Sequence, residues 1–244
     1  MTVGLVTALP IEFRCISHLP VELNKAVRIN KNLVAIICGM GAGNARLAAE
    51  LLQFSHIDAL ISWGTATALT NLDSGDLVLP ECIIASDNTE YRADPDWHAH
   101  FSGCLADLSI TIHTGNIADA GKLLRTPEQK NILYRKTGAI AADMESAAIL
   151  KVARENRLPC LVIRSIIDRN CDSIPGVITR STDQYGTPDI GTLLREIFCE
   201  PSALLQLAVL SRAMARASRT LRTVSRCFQE DSRRSVSDRS LQMS

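Results

Sequence analysis

Three carboxylates stand where the chain changes course, and each has a type and place suited to chemistry on a polar ligand. Glu12 follows the apolar start of GLVTALPIEFR, at a strand-end loop or the first turn of a helix. An acid there is also favoured simply by the helix dipole. Asp143-Met144-Glu145-Ser146 separates the strand-like AIAA from the helix-like AAILKVA. Asp143 suits a helix cap, whereas Glu145, an acceptor-only group, could take hydrogen bonds from two sugar hydroxyls. Asp168 ends the apolar run LVIRSIID, where an open α/β sheet collects its catalytic groups; a turn aspartate is the plainer alternative. Gly39-Met40-Gly41-Ala42-Gly43 lies directly between the strand LVAIIC and a helical pattern. Its exposed N–H groups suit an anion or a polar ligand. The G-x-G-x-G spacing supports dinucleotide binding only weakly, and packing alone could account for the glycines. His18, His56, His98, His100 and His113 show no metal-ligand pairing, and there is neither a nucleophile elbow nor a P-loop.

The elements that must position these residues alternate. Short β-branched runs at Val3–Ala8, Leu33–Cys38, Ala59–Trp63, Asp76–Ala85, Ile110–Thr114, Ala139–Asp143 and Leu161–Ile167 read as strands. Ala42–Phe54, Pro127–Lys136, Glu145–Glu155 and Ile190–Phe198 read as helices. This is the pattern of an α/β domain, a sheet flanked by helices. The polar segment Asp87–Gly103 reads as a long loop, a candidate cover for the site. From Ser202 to Phe228 the pattern changes: Leu207, Leu210, Met214, Leu221, Val224 and Phe228 fall on one helical face and Arg212, Arg216, Arg219, Arg222 and Arg226 on the other. Such a helix either packs on the body or a partner subunit with its Arg face solvated, or lies on an anionic membrane surface. The expected organisation is therefore a domain over 1–200, a basic amphipathic helix over 201–228 and a disordered Ser/Arg-rich tail over 229–244.

Composition narrows the function classes. The 244 residues are 46% hydrophobic and carry 26 Lys+Arg against 26 Asp+Glu, so no whole-chain charge draws the protein to nucleic acid. The 8 cysteines are scattered without a C-x-x-C pair, and Cys38 and Cys160 sit in apolar runs where a thiol behaves as a small hydrophobe. Reduced thiols, no signal-peptide pattern and no run of about 18 apolar residues point to a cytoplasmic chain, with membrane contact only at a surface.

Taken in order, GLVTALPIEF, CGMGAGNARLAAELL, LISWGTATALTNLDSGDLVLP, AADMESAAILKVA and VIRSIIDR resemble the successive signatures of the nucleoside phosphorylase and methylthioadenosine/S-adenosylhomocysteine nucleosidase superfamily. The resemblance runs from Met1 to about Asp172. It implies a central mixed β-sheet flanked by helices and a homo-oligomer with no cofactor or metal. It also implies that Glu12 orients the attacking water, that Met144 and Glu145 bind ribose, and that Asp168 protonates the purine at N7. Gly41 and Ala66 complete the implied substrate-binding set. Cleaving a ribose–purine bond builds positive charge on the sugar and negative charge on the base, so an acid near the base and a carboxylate near the sugar suit it. The DMES wording and the stretch GTPDIGTLLREIFCEPSALLQLAVLSRAMARASRTLRTVSR are similar to hopanoid-associated phosphorylases. That narrower likeness implies adenosylhopane as substrate, adenine as product and an enzyme held at the inner membrane surface by its Arg-rich helix.

The sequence departs from the family at one turn. Where G-x-A-G-G-L is usual, Gly64-Thr65-Ala66-Thr67-Ala68-Leu69 stands here, and Thr67 is costly if that position needs a positive φ. A catalytically weak nucleoside-binding protein is one reading of that change; a general methylthioadenosine/S-adenosylhomocysteine nucleosidase is another alternative. Phosphate as co-substrate would need cations and N–H groups, for which Arg14, Arg46 and Gly39–Gly43 are candidates. Glu12 would repel it, which favours water.

Overall fold

The computed structural model describes residues 1–174 and 202–241, with the side chains of the last helix described over 208–228. Its strands are β1 Val3–Thr7, β2 Val27–Asn30, β3 Leu33–Ile37, β4 Ala59–Ala68, β5 Leu77–Val78, β6 Cys82–Ile84, β7 Glu90–Arg92, β8 Ile112–His113, β9 Ile117–Asp119, β10 Ala141–Asp143 and β11 Cys160–Asp168. Its helices are α1 Pro10–Phe13, α2 Ala42–Gln53, α3 Pro95–Leu105, α4 Pro127–Thr137, α5 Ser146–Glu155 and α6 Ser202–Leu241.

One mixed sheet holds every strand of the described residues, in the order β2-β3-β1-β4-β10-β9-β6-β7, with β11 beside β4 and β5, and β8 beside β5. β3, β1, β4 and β11 are mutually parallel along that row, so their carboxyl ends emerge at one edge. Side chains alternate across the strands. Val6, Leu60 and Val162 meet Ala48, Leu52, Ile149 and Val152 of α2 and α5 on one face. Leu5, Ile61, Leu161 and Ile163 meet Phe13, Phe101, Leu221, Val224 and Phe228 of α1, α3 and α6 on the other. The result is the expected mixed sheet flanked by helices.

The helix bounds at α2, α4 and α5 fall within a residue or so of expectation, because each has its own stop or start. Thr126 caps α4 through Gln129 N–H, and Gly138 ends it in the left-handed region. The expected helix Ile190–Phe198 lies outside the described residues. Asp76–Ala85 is not one strand but β5 and β6, divided around Pro80, which cannot donate to a ladder.

The segment Asp87–Gly103 is not a loop over the site. It holds β7 and most of α3, and Asp94 caps that helix by accepting from Trp97 N–H at 2.9 Å, with Pro95 in the first turn. Phe101 and Leu105 turn the helix onto the face opposite α2 and α5, and the Phe101 ring meets Phe228 edge-on at 6.1 Å.

α6 shares this core. Ala217, Leu221, Val224 and Phe228 are buried, while Arg212, Arg216, Arg219, Arg222 and Arg226 are exposed. The apolar face thus packs on the body and the Arg face meets solvent. The helix runs on to Leu241, through residues expected to be a disordered tail. After Pro201 there is neither Gly nor Pro to interrupt its local hydrogen bonding.

Candidate active site

Glu12 is set by a very short helix. Pro10 opens α1 with its φ already helical, and Glu12, in the first turn, folds back so that Oε2 accepts from Leu9 N–H at 3.0 Å, half of a capping box. Oε2 also accepts from Thr7 Oγ1 at 2.9 Å, and Oε1 accepts from both the N–H and the hydroxyl of Thr65 at 2.8 Å. The carboxylate, only 3% exposed, is therefore fixed by neutral donors from the end of β1, from Leu9 just before α1 and from β4. Gly64 makes room for it: a Cβ there would stand 2.8 Å from Glu12 Oε1.

Glu145 stands at the start of α5, positioned by a buried polar network. Asp143 accepts from Glu145 N–H at 3.2 Å, from Ser146 N–H at 3.0 Å and from the Ser146 hydroxyl. Arg164, rising from the middle of β11, closes a 2.6 Å ion pair on Asp143. It also donates to Ser62 at 2.7 Å and Ser146 at 2.9 Å. β4, β10, β11 and α5 are thereby tied at one point. The Glu145 carboxylate accepts from Gly41 N–H at 2.7 Å, and Gly41 has φ +97°, a conformation that favours glycine. Burial, then the Asp143 charge, pushes the Glu145 carboxyl up to about 7, against the opposing pull of Arg164 and Gly41 N–H.

Asp168 ends β11 just after a bulge. Ile166 pairs with Ala66 and Asp168 with Thr67, leaving Ile167 as the extra residue, and such bulges re-aim side chains beside functional sites. Asp168 Oδ2 accepts from Lys130 Nζ and from Thr67 Oγ1, each at 2.5 Å. Burial raises its carboxyl above the ordinary range, while the Lys130 ammonium and the two hydrogen bonds hold it down.

Glu12, Ala66, Met144, Glu145 and Asp168 all line one cavity of about 410 Å³. Gly41 does not line it; its N–H reaches the site through Glu145. Neither Arg14 nor Arg46 borders the cavity, and Arg46 is paired with Glu50 and Glu155. Among the described residues, the cationic side chains that do border it are Lys122 and Arg125. Leu9, Met40, Leu123, Leu124, Leu210 and Met214 give it an apolar wall, the last two from α6. Among the described residues no group of His, Cys, Asp and Glu converges to hold a metal ion.

Thr67 is not strained. β4 continues in extended conformation through Ala68, pairing with β10 and β11, and Thr67 is absent from the positive-φ residues of the described chain. The expected cost of that substitution does not arise, and its hydroxyl becomes a ligand of Asp168. Lys130 and Arg164 escaped the sequence reading. Arg164 carried a signal, since a charge inside an apolar strand must find a partner. Lys130, on a polar helix, carried none.

Known proteins resemble this chain in sequence and in fold. The profile of the phosphorylase superfamily matches residues 23–194. A 5′-methylthioadenosine/S-adenosylhomocysteine nucleosidase of Thermotoga maritima is 31% identical over 147 residues, covering 57% of this chain and 68% of that protein. A DeoD-type purine nucleoside phosphorylase of Streptococcus thermophilus is 28% identical over 142 residues, covering 53% and 60%. The fold is that of the futalosine hydrolase of Helicobacter pylori, with a TM-score of 0.67 at 17% identity over 91% of this chain and 96% of the other. With its sheet, its carboxylate-lined cavity and these relatives, the chain belongs to the phosphorylase superfamily and is an enzyme that cleaves a glycosidic bond.

Proposed function

We propose that this enzyme hydrolyses the N-glycosidic bond of a 5′-substituted adenosine, releasing adenine, and that adenosylhopane is the substrate it serves. The observation that carries the reading is the convergence of Glu12, Glu145 and Asp168 on one cavity, each held by a different set of partners. Glu12 activates and orients water; its fixed orientation is what that work needs. Glu145 accepts from the ribose hydroxyls, with Met144 against the sugar, and its charge favours the cationic sugar of the transition state. Asp168 delivers a proton to the departing base, a step that needs a carboxyl raised toward neutrality. Ala66 and the Gly41-anchored Glu145 complete the substrate-binding set.

Water is favoured over phosphate because carboxylates dominate the polar lining, and a dianion beside Glu12 would be repelled. The apolar wall, extended by Leu210 and Met214 of α6, suits a hydrocarbon 5′ substituent. A lipid-linked substrate in turn gives a role to the Arg face of α6, which would hold the enzyme against an anionic membrane by charge, since the apolar face is buried. No described helix is long and apolar enough to cross a membrane. A general methylthioadenosine/S-adenosylhomocysteine nucleosidase is the second reading, favoured by the Thermotoga relative. The two are separated by measuring adenine release from adenosylhopane in detergent beside methylthioadenosine. Preference for the lipid supports the first; rapid turnover of methylthioadenosine alone overturns it.

A further inference from the structure

Lys130 is the only lysine of the described chain to be wholly buried, at 0% exposure. An ammonium is costly to bury unless each of its protons is met. Here Nζ donates to Asp168 Oδ2 at 2.5 Å, to the Arg169 carbonyl at 2.5 Å and to the Asp172 carbonyl at 2.9 Å. Its donors are all used, and α4 is thereby bound to the turn that follows β11. Thr67 Oγ1 occupies the same Asp168 oxygen at 2.5 Å from the opposite element, β4. Among the described residues no donor reaches Oδ1, and Asp168 borders the cavity.

We infer that Lys130 is a positioning residue that, with Thr67, reserves Oδ1 of Asp168 as the oxygen that carries and delivers the catalytic proton. Two donors on Oδ2 leave that oxygen unfit to hold a proton of its own, so protonation falls on Oδ1. The ammonium also opposes protonation of Asp168 as a whole, which sets the upper pH at which the acid is still charged with its proton. Among the described residues, the other charged groups near Asp168 are Asp172 from the same turn and Lys122, Arg125, Glu12, Asp143 and Glu145, which line the same cavity. Among the described residues, only Lys130 touches the carboxylate as a cation. The substitution of Thr67 for the glycine usual in the family thus supplies a ligand rather than a defect.

The inference rests on the acid role given to Asp168 above, and the test separates the two. Adenine release from adenosylhopane in detergent and from methylthioadenosine is followed against pH for the parent, Asp168→Asn, Lys130→Gln, Lys130→Arg and Thr67→Val. Lys130→Gln keeps a donor but loses the charge. Its kcat should fall about 10- to 100-fold with KM little changed, and the alkaline limb of kcat/KM should move up by about one pH unit. Lys130→Arg should return the limb toward the parent position. Thr67→Val leaves α4 untouched and should move the limb the same way by less, which keeps the test intact if the Lys130 variants do not fold. An unmoved limb in Lys130→Gln, or in Thr67→Val where the former does not fold, overturns the inference while leaving Asp168 in place. A near-parent rate in Asp168→Asn, or no release by the parent, overturns the acid role and the inference with it.

Discussion

Asp168 and Glu145 are both buried carboxyls displaced upward, yet the proposed function asks them to do opposite things. As the proposed acid, Asp168 must hold a proton, and Asp168→Asn should lower kcat about 10²- to 10⁴-fold with substrate binding nearly intact, as checked by steady-state kinetics and equilibrium binding. As the proposed ribose ligand, Glu145 must be an acceptor, so kcat/KM should fall as pH drops through about 7, and Glu145→Gln should remove that acid limb. Stability follows the same shift. A carboxyl whose folded pKa lies above its unfolded value binds protons more tightly when folded, so its contribution is greatest at low pH and is lost as pH rises through about 7. Glu145→Gln should therefore unfold at a higher temperature than the parent at pH 8, with the gain gone near pH 5. The three acids were legible in the sequence because each closes or follows an apolar run. Their partners were not, because Lys130 meets Asp168 only through the docking of α4, a tertiary event without a local pattern.

At the scale of elements, the site depends on how β4, β10 and β11 are tied. Arg164 and Asp143 are 2% and 6% exposed, and removing one partner leaves the other buried without its counter-charge. Arg164→Met should cost about 3–5 kcal/mol in denaturant unfolding, and the loss should be accompanied by weaker substrate binding as Glu145 loses its support. The alternation of strands and helices was readable because each strand shows β-branched residues in a short run. The extension of β4 to Ala68 was not, since Thr67 was judged by the glycine it replaces rather than by the strand it continues. α3 was hidden for a similar reason. Its Asp94-Pro95 start was present in the sequence, but His98 and His100 interrupt a face carried by Phe101, Leu105 and the half-buried Trp97.

Across the whole molecule, α6 joins the core to the surface. Leu221, Val224 and Phe228 pack with Phe101 and Leu161, so removing the helix would open the core as well as the Arg face. Replacing Arg212, Arg216, Arg219, Arg222 and Arg226 by Gln leaves that packing in place. The variant should lose most of its binding to vesicles containing anionic lipid, at roughly 1 kcal/mol per arginine in contact, while cleaving soluble methylthioadenosine as before; sedimentation with vesicles reads the first and adenine release the second. The amphipathic pattern was plain in the sequence. Whether the body, a partner or a membrane would cover its apolar face was not, because periodicity separates two faces without saying what lies against either.

The central claim is that water attacks a nucleoside held among Glu12, Glu145 and Asp168. The most direct measurement is adenine release from adenosylhopane in ¹⁸O-labelled water, with and without phosphate, followed by mass analysis of the sugar product. Release at the same rate with and without phosphate, with one labelled oxygen on the freed sugar, is the predicted result. A rate that requires phosphate, with an unlabelled phosphorylated sugar, or the absence of any adenine release, would contradict it.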